Sequence, residues 1–317
     1  MCQFCLVSQA GGLQHIAPMK TRTLTAAAFA AFTIVACGDD EDPNGNGNGT
    51  DTGSMGPGNI VEVATEAGNF GTLLQLATDA GLAGTLSTDT LTVFAPTDTA
   101  FSNLGVNTAS VSADIITNIL LNHVANGELD AAALGSAGSV NTLANVAHTF
   151  DADGVRGAAI ASADVDASNG IIHVLSEVIV PPTTAELAGE AGLSELLAAV
   201  GTATTAVQEA LDPDTLAGAD PITVFAPDNA AFMAADLTGL DVNTVLSLHV
   251  VAGQVLAEDI MDGQTITTVA GQDLTATVTE NGVTLTDPSG NTVNVVATDL
   301  RTLSGVVHTV DGVLIPN

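Results

Sequence analysis

Residues 92–101 read Thr-Val-Phe-Ala-Pro-Thr-Asp-Thr-Ala-Phe, and residues 223–232 read Thr-Val-Phe-Ala-Pro-Asp-Asn-Ala-Ala-Phe. The same ten-residue stretch occurs twice, 131 positions apart, with three substitutions. β-Forming residues that end at a proline, followed by residues that cap helices, predict a short strand leading into a helix. Because internal repetition sets the architecture of a chain, these stretches predict two consecutive copies of one domain.

Three further blocks recur in the same order in both halves of the chain. They pair residues 70–77 with 193–200, 120–124 with 246–250, and 170–181 with 305–316. The apolar residues of the first pair are spaced as in an amphipathic helix. The two copies are therefore expected at residues 59–182 and 183–317, and the run Pro181-Pro182-Thr183-Thr184 between them is expected to be a stiff linker.

The residue pattern predicts helices and strands that are partly segregated, which is typical of an α+β fold. Thr97 or Asp98 is expected to cap a helix in the first copy, and Asp228 or Asn229 in the second. Asn281-Gly282 is a hairpin turn signal between two strand-like runs. The predicted helices are 112–124 and 244–251, and the predicted strands are 92–95, 171–180, 269–278, 283–286, 293–296 and 306–315.

The charge of the chain is strongly negative, with 36 acidic residues against four basic ones and a net charge of −32. Such a chain is repelled by phosphate backbones, so nucleic-acid binding is excluded. A solvated acidic surface explains the composition, and so does adaptation to a salty habitat in which self-repulsion is screened. Weak binding of divalent cations is a third reading.

The N-terminal region has the composition of an export signal. A basic start at Lys20 and Arg22 precedes a short apolar run, and Ile34-Val35-Ala36-Cys37 resembles the bacterial lipoprotein signal. This resemblance implies cleavage before Cys37 and a lipid on its sulfur; the alternative is an ordinary secretory signal with a chance cysteine. Residues 1–18 are then a start-site extension, 19–36 the signal peptide, and 37–58 a flexible acidic linker rich in Gly and Asn.

The recurring blocks together resemble the fasciclin domain in both copies. The resemblance implies a compact β-wedge with packed helices, in tandem modules of cell adhesion and extracellular matrix. The family commonly has Tyr-His in its middle block, and this chain has Asn122-His123 and Leu248-His249 instead. The missing tyrosine argues against integrin-like recognition.

The residues that carry this resemblance are expected to be structural. They are Phe94, Pro96, Asp98, His123 and His173 in the first copy and Phe225, Pro227, Asn229, His249 and His308 in the second. The four histidines are expected to be half-buried and bonded to backbone groups, and His148, which has no counterpart, to lie on the surface. Arg156 and Arg301 are expected to form surface ion pairs.

No catalytic residue, cofactor site or metal site is predicted, because no nucleophile elbow, phosphate loop or zinc-ligand spacing occurs in the chain. The sequence therefore predicts a non-enzymatic, lipid-anchored protein of the bacterial cell envelope that acts in adhesion or matrix association. Its expected partners are the membrane and a protein or polysaccharide at the cell surface. An envelope module that binds a small molecule or polysaccharide is the alternative, and a hydrolase with paired carboxylates is a third reading.

The lipoprotein signal predicts that Cys37→Ser releases the protein from the membrane or blocks its processing. Two or more acyl chains, each adding about 0.8 kcal/mol per buried methylene, anchor a protein firmly. Membrane fractionation and the mass of the mature protein measure this. Unchanged membrane retention together with a mature mass that lacks lipid would contradict the prediction.

Overall fold

The structure is a computed structural model that describes residues 57–105, 107–204, 208, 220–280 and 282–317. Cys37, the predicted signal peptide and most of the predicted linker lie outside the described residues. The two copies follow one plan in which helices come first, a central strand leads into a helix, and a second helix leads into a run of antiparallel strands. The last strand returns to pair with the central one.

The first copy has a four-stranded sheet in the order β2-β1-β7-β6 and a smaller sheet in the order β3-β4-β5. Its helices are α1 (Ile60–Ala67), α2 (Gly71–Asp79), α3 (Ala83–Thr88), α4 (Asp98–Asn103), α5 (Ala113–Asn122) and α6 (Ala131–Ala137). Its strands are β1 (Leu91–Pro96), β2 (Val124–Asn126), β3 (Ser139–Asn141), β4 (Ala147–Asp151), β5 (Gly154–Val155), β6 (Ile160–Ala167) and β7 (Gly170–Leu175).

The second copy has one seven-stranded sheet in the order β10-β11-β12-β13-β14-β8-β9. The helices described in it are α7 (Thr184–Glu190), α8 (Ser194–Thr202), α9 (Asn229–Ala234) and α10 (Val242–Leu248). The strands are β8 (Ile222–Pro227), β9 (Val250–Ala252), β10 (Thr265–Thr267), β11 (Asp273–Thr279), β12 (Gly282–Thr286), β13 (Thr292–Thr302) and β14 (Gly305–Val310).

A parallel strand pair lies at the centre of each copy: β1 with β7, and β8 with β14. All six residues of β1 are buried. Gly170 and Gly305 open the returning strands with φ angles of 153° and 141°. A side chain at either position would collide with the carbonyl oxygen of Leu91 or Ile222 on the partner strand, so only glycine allows the strands to pair here.

The predicted α+β class, the central strands and the hairpin of β11 and β12 agree with the structure. Thr97 and Asp228 are the residues that cap α4 and α9. Several predicted limits were wrong. The helices α5 and α10 end at Asn122 and Leu248, because the chain there turns into the short strands β2 and β9. The final strands end at Leu175 and Val310, beyond which the chain leaves the sheet.

The two copies share a hydrophobic cluster at their junction. Ala144 and Val146 of the first copy, both buried, pack with residues of α7 and α8 in the second copy. Leu121 of α5 packs against the same cluster. The backbone N–H of Arg301 donates to the carbonyl oxygen of Ala144 at 3.0 Å. Removing either copy would therefore expose apolar surface on the other.

Asn118 is a buried polar hub that joins the two copies. Its side chain projects from the middle of α5 and accepts a hydrogen bond from the Arg301 guanidinium at 2.9 Å. Its amide nitrogen lies 3.1 Å from the side-chain oxygen of Gln254 and 3.1 Å from the Gly305 carbonyl oxygen, with Thr302 O at 3.3 Å. Every one of these partners belongs to the second copy, so one side chain satisfies polar groups from three of its segments.

The junction also holds both arginines of residues 59–317. Arg156 of the first copy forms ion pairs with Glu186 at 2.7 Å and Glu190 at 3.1 Å, both on α7. The expected ion pair is therefore present at Arg156, and it bridges the two copies. For Arg301 the expectation was wrong, because its guanidinium is partly buried and bonds the neutral Asn118 rather than a surface carboxylate.

We predict that Asn118→Leu lowers the free energy of unfolding by about 3 kcal/mol, because it leaves the Arg301 guanidinium and buried groups of the second copy without a partner. Urea unfolding measures this change. Thr117→Ala is the matched control on the same helix, since within the described residues the Thr117 hydroxyl bonds only the Ala113 carbonyl oxygen of its own helix. We expect the control to change stability by less than about 0.5 kcal/mol. Equal urea midpoints for the two variants would contradict the role of Asn118 in joining the two copies.

Candidate functional site

The repeated phenylalanine of each copy stacks on a histidine of the returning strand. Phe94 lies directly opposite His173 in the register of β1 and β7, and Phe225 lies opposite His308 in that of β8 and β14. The ring centroids are 5.5 Å apart in both pairs, and all four side chains are buried. Pro96 and Pro227 are the last residues of β1 and β8 and are also buried.

His173 and His308 bond backbone groups through both ring nitrogens. Their Nε2 atoms lie 2.8 Å from the carbonyl oxygens of Leu129 and Val255. A carbonyl can only accept, so Nε2 carries the proton and Nδ1 is the acceptor. Nδ1 of His173 accepts from the backbone N–H of Asp164 at 3.3 Å, and His308 accepts from Asp299 in the same way. Burial lowers the pKa of His308, which favours this neutral form.

Those two aspartates form a matched feature that the sequence analysis missed. Asp164 and Asp299 have left-handed φ angles of 55° and 58° and lie at bulges of β6 and β13. Their carboxylates accept from the backbone N–H of Ala131 at 2.8 Å and of Ala257 at 2.9 Å. The sequence feature that could have revealed these aspartates is their spacing, because each precedes its histidine by nine residues.

His123 and His249 adopt the opposite tautomer. Their Nδ1 atoms lie 2.7 Å from the Ile119 carbonyl oxygen and 2.8 Å from that of Val245, so Nδ1 is the donor. Their Nε2 atoms accept from the backbone N–H of Ile179 at 2.8 Å and of Leu314 at 2.9 Å. These hydrogen bonds tie the segment after β7 to the end of α5 in the first copy, and the segment after β14 to the end of α10 in the second. The expectation of half-burial was wrong for all four histidines, because His123 and His249 are only 1–2% exposed and His173 and His308 are 0% exposed.

The two positions at which the family commonly has tyrosine are buried. Asn122 and Leu248 are both 0% exposed. Leu248 belongs to the core of the second copy, and the Asn122 amide nitrogen donates to the Asn118 carbonyl oxygen at 2.7 Å. Both side chains therefore lie in the interior and not on the protein surface.

Asp98 and Asn229 occupy matched positions and hold the starts of α2 and α8, the second helix of each copy. Asp98 accepts from the backbone N–H groups of Gly71 and Thr72 at the start of α2, and the bonds from Thr72 lower the pKa of its carboxyl. Asn229 accepts from the N–H of Glu195 at the start of α8 and donates to the Gly192 carbonyl oxygen. Neither helix has a side-chain cap of its own, so a distant residue supplies it.

His148 is buried, so the expectation that it lies on the surface was wrong. Its side chain is 0% exposed, and Nε2 lies 2.7 Å from Asn122 Oδ1. The other nitrogen, Nδ1, has no hydrogen-bond partner within the described residues. Burial lowers the pKa of His148 to about 4, with smaller contributions from the positive charge of Arg156 and from the nearby His123 ring. The ring is therefore neutral and completes a polar chain through Asn122 to the junction.

Two apolar cavities lie in the second copy. One, of about 360 Å³, is lined by α8, α9 and α10 and includes Phe232, Met233 and Leu240. The other, of about 340 Å³, lies beside α7 and α8 with His249 and Gln208 at its wall. Within the described part of the chain, no three potential metal ligands come together.

Both copies match one protein family. The Fasciclin domain family matches residues 68–181 and 194–316, more than half of the sequence. The chain belongs to the Fasciclin domain family. Protein sll1483 of Synechocystis sp. is 41% identical over 133 residues, which cover 39% of this chain and 73% of that protein. The fasciclin-like arabinogalactan protein CTB11 of Cercospora beticola is 26% identical over 164 residues, covering 50% of this chain and 41% of that protein.

Among solved structures, a FAS1 domain pair from the insect cell adhesion molecule Fasciclin I matches with a TM-score of 0.49 and 15% identity. The match covers 79% of this fasciclin protein and 98% of that structure. Among the helices of the described residues, none combines the length and apolar character that crossing a membrane requires.

Three buried histidines predict that stability falls on acidification. The folded-state pKa values of His123, His148 and His249 are lowered to about 4, mainly by burial, whereas the unfolded chain binds these protons near pH 6.5. Their contribution is therefore complete above pH 6.5 and is lost as the pH falls toward 4. At about pH 5 the expected loss is about 2 kcal/mol per histidine.

Urea unfolding at about pH 7.5 and about pH 5, at matched ionic strength, measures this loss. Carboxylates with ordinary pKa values remain mostly ionised over this range, so self-repulsion stays nearly constant. A free energy of unfolding that is equal at both pH values would contradict the neutral, buried state of these rings.

Proposed function

We propose that this fasciclin protein is a non-enzymatic surface protein of a bacterial cell envelope, anchored by a lipid on Cys37, that acts in adhesion or matrix association. Family membership supports a general adhesion-type role. The sequence around Cys37 supports the anchor, and the acidic linker supports display of the two domains away from the membrane.

The main support for the proposal is that the matched polar residues of the two copies bond backbone groups of the protein itself. Both ring nitrogens of His123, His173, His249 and His308 bond backbone groups in the interior. The side chains of Asp98 and Asn229 hold helix starts. The residues common to the two copies thus maintain the fold, which favours a protein that acts through its surface.

The junction supports the same role. A shared apolar cluster, the Asn118 hub and the ion pairs of Arg156 hold the two domains in one arrangement. A fixed arrangement lowers the entropy lost when both domains contact one matrix. The alternative function, a module that binds a small apolar molecule, is favoured by the cavity of about 340 Å³ beside His249.

We expect cells that carry the intact protein to attach to their own extracellular matrix better than deletion cells. Cells with Cys37→Ser should attach like deletion cells, because the unanchored protein cannot link cell to matrix. Attachment to matrix-coated surfaces under flow measures this. Equal attachment of deletion and parent cells would contradict the adhesion role. Full attachment with Cys37→Ser would contradict the anchor.

The cavity alternative has a separate readout. Native mass spectrometry of the full-length protein would detect a bound small molecule, and Leu196→Trp, at the cavity wall, should displace it. Loss of attachment in Leu196→Trp cells with the fold retained would favour the small-molecule function over matrix association.

A further inference from the structure

The outer face of strands β10 to β13, called here the threonine face, has an unusual composition. Its inward-pointing residues, such as Leu274, Leu285 and Val293, are buried in the core. Where these four strands pair with one another, the ten outward side chains are Thr265, Thr267, Asp273, Thr275, Thr277, Thr279, Thr284, Thr286, Thr292 and Asn294. Gly282 lies opposite Thr279, and the exposed Val296 follows Asn294 on β13. Eight of the ten are threonine, and only Asp273 is charged.

The strand register aligns these threonines in lines across the sheet. Thr265, Thr275, Thr286 and Thr292 are successive cross-strand partners and form one line over four strands. Thr277, Thr284 and Asn294 form a second line two residues further on. Neighbouring threonines are thus about 4.8 Å apart across the strands, and the lines are about 6.7 Å apart along them.

Most hydroxyls of the first line and its neighbour are available to a ligand. The side-chain hydroxyls of Thr265, Thr275, Thr277, Thr286 and Thr292 form no hydrogen bond within the described part of the chain. Those of Thr267 and Thr284 bond Asp273 and Asn294. Each available hydroxyl offers one donor and two acceptor sites.

Strand propensity alone does not explain this face. Threonine is a good strand former, but the matching strands of the first copy have the same requirement. Their outward positions are Ser139 and Asn141 on β3 and Ala147, Thr149 and Asp151 on β4, without a threonine line. The face also carries few charges for a chain with 36 acidic residues: Asp273 lies on it, and Asp311 accepts from Asn294 at its edge. The second copy therefore carries a surface feature that the shared fold does not require.

The low charge of the threonine face and the twist of its strands indicate which kind of ligand it fits. An uncharged, hydroxyl-rich face matches a ligand that is itself uncharged and rich in hydroxyls, and it does not attract an ionic polymer. Adjacent strands rotate by about 20–25°, so the outer two of four strands differ by roughly 60–75°. A flat crystal plane such as ice meets only part of such a surface, whereas a flexible polymer chain can follow it.

We propose that the threonine face binds an uncharged polysaccharide of the extracellular matrix, with Thr265, Thr275, Thr286 and Thr292 hydrogen-bonding the sugar hydroxyls along one chain. This inference rests on the proposed matrix association and assigns its contact surface. Individual hydroxyl contacts are weak, and many anchored copies on one cell bind one polymer with high avidity.

The test is cosedimentation of the full-length protein, in mild detergent, with four insoluble uncharged polysaccharides: amorphous cellulose, starch granules, mannan and agarose. Calcium alginate is the anionic comparison. The protein should sediment with at least one uncharged polymer and not with alginate. Thr275→Glu should weaken that binding by roughly tenfold or more, because it places a charge in the middle of the line and loses about 1.4 kcal/mol.

Two further variants separate the possible causes. Thr275→Val keeps the shape and neutrality but removes the hydroxyl, so binding should weaken by a few-fold. Thr149→Glu is the matched control on the first copy and should bind like the parent. Thermal melting confirms that each variant is folded.

Failure to sediment with all four uncharged polymers would overturn the inference, as would equal binding by Thr275→Glu and Thr149→Glu. Inhibition of ice recrystallisation that is lost in Thr275→Glu, without polysaccharide binding, would show that the face binds ice instead. Matrix attachment of cells carrying Thr275→Glu distinguishes the two proposals. Undiminished attachment would show that the threonine face is not the contact surface and would leave the proposed adhesion role intact.

Discussion

The structure of each copy depends on one parallel strand pair, in which a buried phenylalanine lies opposite a buried histidine. The two strands are far apart in the chain, so their pairing is a long-range contact that encloses the rest of the copy. Phe94 and His173 belong to different sequence blocks, as do Phe225 and His308, and the register brings each pair into stacking contact. The blocks that recur in the sequence contain the residues that make this contact in each copy.

The histidine of this pair also sets the geometry of the neighbouring strand. Its Nδ1 accepts from a bulge aspartate with left-handed backbone, Asp164 or Asp299. Such a backbone persists only where the surroundings hold it, and here the ring and a backbone N–H bonded by the carboxylate both do so. A protonated ring would place a donor against that N–H. Both nitrogens of this imidazole are therefore occupied by backbone hydrogen bonds.

The junction shows how a strongly acidic chain holds two domains together. Dense carboxylates repel one another, and the only arginines of the two domains lie where the domains meet. Arg156 bridges through exposed glutamates, an arrangement that contributes modestly because water screens it. Asn118 contributes through burial, since its partners would lose their hydrogen bonds without regaining water.

The sequence by itself determined the features that depend on neighbouring residues. The two copies, the strand that ends at Pro96 or Pro227, the caps Thr97 and Asp228, and the helix patterns of α2 and α8 are local in origin. Residue composition likewise indicated the acidic surface. Family resemblance then supplied the domain type, because four blocks in one order, twice, are specific.

Only the tertiary structure decided what depends on distant residues meeting. His148 is buried because Asn122, 26 positions earlier, accepts its hydrogen bond. The Arg301 guanidinium donates to the side chain of Asn118, 183 positions away in the chain. The threonine lines exist because four strands pair in one register, and a shift of one residue would have turned those side chains into the core. Local propensity fixes which strands form, whereas packing between strands fixes which residues become neighbours.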